Sequence, residues 1–127
     1  MPLWQEAQAL AATIAELVVG LPRDAATSVI GSQIMRSAGS VPANIAEGFG
    51  RYSQPAYRSH LSIARGSLFE TESWIDLLHR RKYLDDERVQ ELITSCHALG
   101  RLLTVRMKSL SENKTYAVRE EGELYEV

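Results

Sequence analysis

Apolar side chains return every three or four positions along most of the chain, the spacing that gathers them on one face of an α-helix. The first such stripe is Trp4, Ala7, Ala11, Ile14, Val18 and Leu21. Gly20 and Pro22 end it, glycine as a C-terminal cap and proline because it has no amide hydrogen to continue the ladder. A second stripe, between about Asp24 and Gly48, carries Ile30, Ile34, Ala38, Val41 and Ile45. In the third, Tyr57, Leu61, Ala64, Leu68, Thr71, Ile75 and Leu78 alternate steps of four and three, a heptad seam that needs a partner helix. Ser53 is placed to cap its start, Pro55 is tolerated in the first turn, and Arg80, Arg81 and Lys82 complement the dipole at its end. A fourth helix begins near Asp85 with an acidic first turn and repeats at Val89, Leu92, Cys96, Leu99, Leu103 and Leu110.

The second segment is irregular, because Gly39 and Pro42 lie inside it. A mid-helix proline removes one hydrogen bond and presses on the carbonyl four residues back, here that of Ala38. Either one kinked helix runs through, or a new helix starts with Ser40 as its N-cap. The apolar spacing stays in phase across Pro42, which favours the kink. No strand pattern competes before the C-terminal tail. The pattern therefore predicts an all-α, antiparallel up-down four-helix bundle over residues 1–111, with a Pro-kinked second helix. Residues 112–127 read as an acidic, flexible tail, at most forming a short extended piece around Leu124 to Val127 that docks elsewhere.

Composition narrows the class without naming an activity. A chain of 127 residues, 45% hydrophobic and 24% charged, has room for one globular core and not two. No apolar run of about 18 residues exists, so nothing is expected to span a bilayer. The first residues, Met-Pro-Leu-Trp-Gln-Glu, do not pattern as a secretory signal, and the cytoplasm is the expected location. A lone cysteine, Cys96, has no internal disulfide partner. The net charge of −2 is unevenly spread. Residues 22–82 carry eight basic side chains against five acidic ones, whereas residues 112–127 carry two against five. The middle is mildly basic and both ends are acidic, a bias too weak for a non-specific nucleic-acid binder as a monomer, although symmetric repetition would concentrate it.

Catalytic and metal signatures are missing from the sequence. His60, His79 and His97 lack the i, i+4 pairing and carboxylate companions of a zinc site, and the Glu-x-x-His pair of di-iron bundles does not occur. Cys96 and His97 are adjacent, so on a helix they point about 100° apart and do not form a nucleophile–base pair. The glycines of Gly48-Phe49-Gly50 follow no strand, which leaves a phosphate-cradling loop unsupported. No enzyme activity and no cofactor are expected.

Two surfaces remain to be explained. Ser40, Asn44, Glu47 and Arg51 step by four, three and four, a polar stripe beside the apolar one. Such groups must satisfy one another or a partner. They form either an internal network, with Asn44 on backbone freed at the kink and Glu47 on Arg51, or an interface with a subunit or ligand. On the third helix, Arg58 and Arg65 project on one side, with Glu72 continuing that stripe in opposite sign. Ser59, Ser62, Gly66 and Ser73 make a small-residue strip that permits close approach of another helix. These faces exceed what a monomeric bundle needs and point to oligomerisation.

The stretch Gln33 through Ser53, then Tyr57, Leu61, Ile63-Ala64-Arg65-Gly66-Ser67-Leu68 and Glu70, resembles a known family, as does the Leu21-Pro22-Arg23 link. The resemblance is to the four-helix-bundle proteins that include those encoded in intervening sequences of large-subunit ribosomal RNA genes and the accessory variability determinant of diversity-generating retroelements. The resemblance extends from about Ala7 to Leu110. It implies a kinked second helix, a ring-shaped homopentamer and no known enzymatic activity. For the retroelement branch it also implies binding to a reverse transcriptase and to nucleic acid through basic surfaces, for which the matching positions here are Arg36, Arg51, Arg58 and Arg65. Met35 stands where family members usually carry a further arginine. The expectation is thus a non-enzymatic, homopentameric scaffold. Binding of RNA or single-stranded nucleic acid by a ring of arginines, and adaptor duty for a polymerase or another protein, stay open as alternatives.

Overall fold

A computed structural model describes residues 1–112 as four α-helices: α1 (Pro2–Val19), α2 (Ala25–Phe49), α3 (Gln54–Arg80) and α4 (Asp86–Glu112). The tail expected over residues 112–127, with its extended piece at Leu124 to Val127, lies outside the described residues from 113 onward. Links of four or five residues force consecutive helices antiparallel. Each helix packs on its neighbour in sequence, α1 closes against α4, and the α2–α3 contact is the most extensive. Among the described residues no helix is long and apolar enough to cross a membrane.

The core is built from the predicted stripes, most cleanly in α3, where all seven seam residues are buried. Ile30, Ile34, Ala38, Val41 and Ile45 of α2 join them, with Leu92, Cys96, Leu99, Leu103 and Leu110 of α4. α1 is rotated relative to its expected stripe. Leu3, Ala7, Leu10 and Ile14 are buried, while Trp4, Ala11, Val18 and Leu21 lie half-buried at the core's edge. The cause is a second apolar row, Leu3, Leu10 and Leu17, at spacing seven.

Pro42 sits buried inside one continuous helix, so Ser40 does not start a new one. α2 begins at Asp24, whose carboxylate accepts from the Thr27 amide at 2.9 Å while its own amide donates to the Thr27 hydroxyl at 3.0 Å, a reciprocal capping box. The Thr27 amide, then the Tyr83 hydroxyl at 3.0 Å, holds the Asp24 carboxyl below its ordinary pKa. The same bond ties the α3–α4 turn to the start of α2. At α3, Ser53 accepts from the Ala56 amide at 3.2 Å.

Gly20 ends α1 in the right-handed region, at φ −84°. Among the described residues the left-handed one is Lys82, at φ 65°. Its amide donates to the His79 carbonyl, and that of Tyr83 donates to the Leu78 carbonyl, each at 2.9 Å, the two bonds of a Schellman ending. A side chain costs roughly 1–2 kcal/mol in that conformation. Gly48 is required for a different reason. A Cβ there would stand 2.6 Å from the His60 Cβ and 3.2 Å from the Tyr57 carbonyl, so glycine is what lets α3 cross α2 this closely.

Two stability changes of opposite sign follow. Gly48→Ala gains helix propensity but forces the two helices apart, a net loss of about 1–2 kcal/mol read as a lower urea midpoint. Lys82→Gly is expected to stabilise the fold by about 1 kcal/mol, read as a higher urea midpoint, since it relieves the left-handed backbone.

Candidate interaction surfaces around the third helix

Between α2 and α3 runs a ladder of polar groups inside an otherwise apolar contact. Ser37 and Thr71, both buried, share a hydroxyl hydrogen bond of 2.8 Å. One step along, Ser67 donates to Ser40 at 2.9 Å. The Asn44 amide donates to the Ser40 carbonyl and hydroxyl, each at 2.9 Å, and its oxygen lies 3.2 Å from His60 Nδ1. Glu47 lies 4.0 Å from His60 Nε2 and pairs with Arg51 at 2.6 Å. Ser40, Asn44, Glu47 and Arg51 are therefore joined within one protomer. Asn44 reaches the Ser40 carbonyl, not the Ala38 carbonyl that Pro42 leaves without its usual donor. Sequence reasoning missed the α3 half, Ser67 and His60, because a partner 16 or 27 residues away has no local signature.

The four candidate arginines do not share a patch within one protomer. Arg36 pairs with Glu70, which also accepts from Trp74 Nε1 at 3.1 Å, and Arg51 pairs with Glu47, so both stand on the α2 flank of α3. On the α4 flank, Arg58 donates to the Met107 carbonyl at 3.3 Å and Arg65 donates to the Thr104 hydroxyl at 3.1 Å. The Arg65 guanidinium also lies 4.8 Å from the centre of the Phe69 ring. Each arginine thus has an acceptor in its own chain, and the exposed pairs Arg36–Glu70 and Arg51–Glu47 contribute little stability.

Arg65 and Phe69 wall a groove of about 390 Å³ between α3 and α4, with Gly100, Arg101, Thr104 and Val105 opposite. His97 Nε2 lies 3.2 Å from Glu72 at its far end. Cys96 forms the floor, and burial first, then the Glu72 charge, pushes its thiol up to about 12. Among the described residues no three metal-ligating side chains gather.

The outward face of α3 is smooth. Ser59, Ser62, Gly66 and Ser73 are exposed, and a Cβ added at Gly66 would meet nothing within 4 Å. Ile63 (52% exposed), Phe69 (50%) and Leu77 (36%) flank this strip.

An up-down bundle of four helices, with a proline inside the second and a polar ladder between the second and third, defines the class. The model of the 23S rRNA-intervening sequence protein family matches residues 1–105, and the chain belongs to that family. Its fold is similar to the crystal structure of a protein of unknown function from the S23 ribosomal protein family of Bacteroides thetaiotaomicron. The two share 28% identity with a TM-score of 0.79, over 84% of this chain and 95% of that one. No curated protein matches the chain.

The buried thiol gives a direct check. At pH 8, Cys96 resists alkylation in the folded protein and reacts at the ordinary thiol rate once urea unfolds the chain. Fast labelling of the native state contradicts this burial.

Proposed function

We propose that the protein is a non-enzymatic binding scaffold that works as a homopentamer, with the outward face of α3 as the surface where copies meet. The observation that carries this reading is the strip Ser59, Ser62, Gly66 and Ser73 flanked by exposed Ile63, Phe69 and Leu77. Small residues allow two helix axes to approach closely, and the apolar side chains beside them gain free energy only when a neighbour removes them from water. Among the described residues nothing fills the space at Gly66, although glycine inside a helix costs about 1 kcal/mol relative to alanine. The copy number of five rests on the family resemblance, not on this face.

The arginines support a second reading less well. Phosphate binding by Arg36, Arg51, Arg58 and Arg65 requires each to leave an acceptor that it already holds, and requires assembly to bring the two flanks of α3 together. A steep fall of RNA affinity with salt, flattened by the double variant Arg58→Glu, Arg65→Glu, is the result that favours it.

Light scattering after gel filtration tests the scaffold reading through Gly66→Arg. The parent is expected to elute as one species of several protomers. The variant is expected to fall to lower mass while keeping its helical spectrum, because a Cβ at this position meets nothing inside the described protomer. A parent that is monomeric at micromolar concentration, or a variant that assembles unchanged, overturns the proposal.

A further inference from the structure

We infer that copies meet through two different faces, the outward face of α1 on one copy seating over α3 and its groove with α4 on the next. This rests on the reading of α3 as the surface where copies meet, and it names what covers that surface. α1 has a second stripe that the core does not use. Gln5, Ala9, Ala12, Glu16 and Val19 recur at steps of four and three, and all are exposed. The helix carries Glu6 and Glu16 and no basic residue. The groove is of opposite sign, with Arg65 and Arg101 on its walls against one carboxylate, Glu72, which has His97 beside it. Among the described residues Glu6, Glu16 and Arg101 have no ion-pair partner, and Arg65 is held by Thr104 through Nε.

The heights of these groups along the bundle match. A Cβ at Gly31 would stand 3.1 Å from Val18 Cγ1, and Ser37 bonds Thr71, so α1 is level with α2 at the first pair and α2 with α3 at the second. Because α2 and α3 are antiparallel, Gly31, six residues before Ser37, is level with Leu77, six residues after Thr71. α1 and α3 run parallel, so Glu6, twelve residues before Val18, is level with Arg65, twelve before Leu77. Thr104 touches Arg65, which puts Arg101 within one turn of the same level. Ala9 and Ala12 are level with Leu68 and Thr71, one on each side of Phe69. In a closed ring whose axis runs along the helices, copies are related by rotation without a shift along the axis, so equal levels face one another. Glu6 of one copy then stands beside Arg65 and Arg101 of the next, and the two alanines leave room for the Phe69 ring. Glu16 falls ten residues away, about 15 Å along the axis, out of reach of both arginines. A two-fold contact of α3 on itself would instead bring two basic flanks together and leave the α1 face in water.

The test is cross-linking of the full chain under mild oxidation at micromolar concentration. Ala12→Cys and Ser73→Cys occupy exposed positions within one turn of the same level, on helices that lie diagonally in the bundle and do not meet within one chain. Cys96 stays silent because it is fully buried. Together in one chain, the two substitutions are expected to give a ladder of linked chains that runs beyond the dimer, whereas each alone gives no link. Dimers from Ser73→Cys alone, or an assembled protein that yields no ladder, overturn the inference and leave α3 standing as a contact face. A parent that is monomeric overturns both. Charge reversal supplies a second readout, by light scattering at low salt. Glu6→Arg is expected to raise the concentration at which the assembly dissociates several-fold, and Arg101→Glu added to it recovers most of that loss, while Glu16→Arg changes little. Equal effects at positions 6 and 16, or no recovery in the double variant, contradict the pairing.

Discussion

The close crossing of α3 over α2 at Gly48 is the constraint on which the rest of the bundle depends. With glycine there, the two helices approach until the backbone of Tyr57 and the Cβ of His60 fill the space a side chain would take. That approach brings the hydroxyls of Ser37, Ser40, Ser67 and Thr71 within hydrogen-bonding distance of one another, so groups that would be costly to bury alone are satisfied in pairs. The register of α2 on α3 is then set chemically as well as by packing, because the pairs Ser37–Thr71 and Ser40–Ser67 form together in one alignment of the two helices. Pro42 and Asn44 fit the same scheme. The proline lies inside the continuous helix, and Asn44 ties its own turn to Ser40 and to His60 on the facing helix.

Fixing α3 against α2 decides what α3 shows elsewhere. Its seam is consumed by the core, its α2 flank by the polar ladder and its α4 flank by Arg58 and Arg65 reaching across to Met107 and Thr104. What is left is an outward face of small residues bordered by Ile63, Phe69 and Leu77, apolar surface that the protomer does not use. The proposed binding role rests on that remainder.

Much of this was legible in the residues, and the boundaries of legibility are physical. The α3 seam could be read position by position because its period is unbroken over seven members. α1 was misread by part of a turn because two apolar rows compete on it, and only contact with α2 and α4 decides between Leu3–Leu10 and Trp4–Ala11. Continuity of α2 through Pro42 was legible in the apolar spacing, which stays in phase across it, and the helix does run through. The polar stripe on α2 was visible, but its partners on α3 were not, because hydrogen bonds between residues 16 to 34 apart leave no local pattern. Lys82 gave no warning either, as a left-handed position without glycine is set by the Schellman bonds around it.

The central claim is that a protomer with an unused apolar face on α3 completes itself with copies of itself. Native mass spectrometry of the full chain tests it most directly. The account predicts a single assembly at five times the 14.2 kDa protomer mass, with no populated intermediate. A spectrum dominated by the 14.2 kDa protomer at micromolar concentration would contradict it.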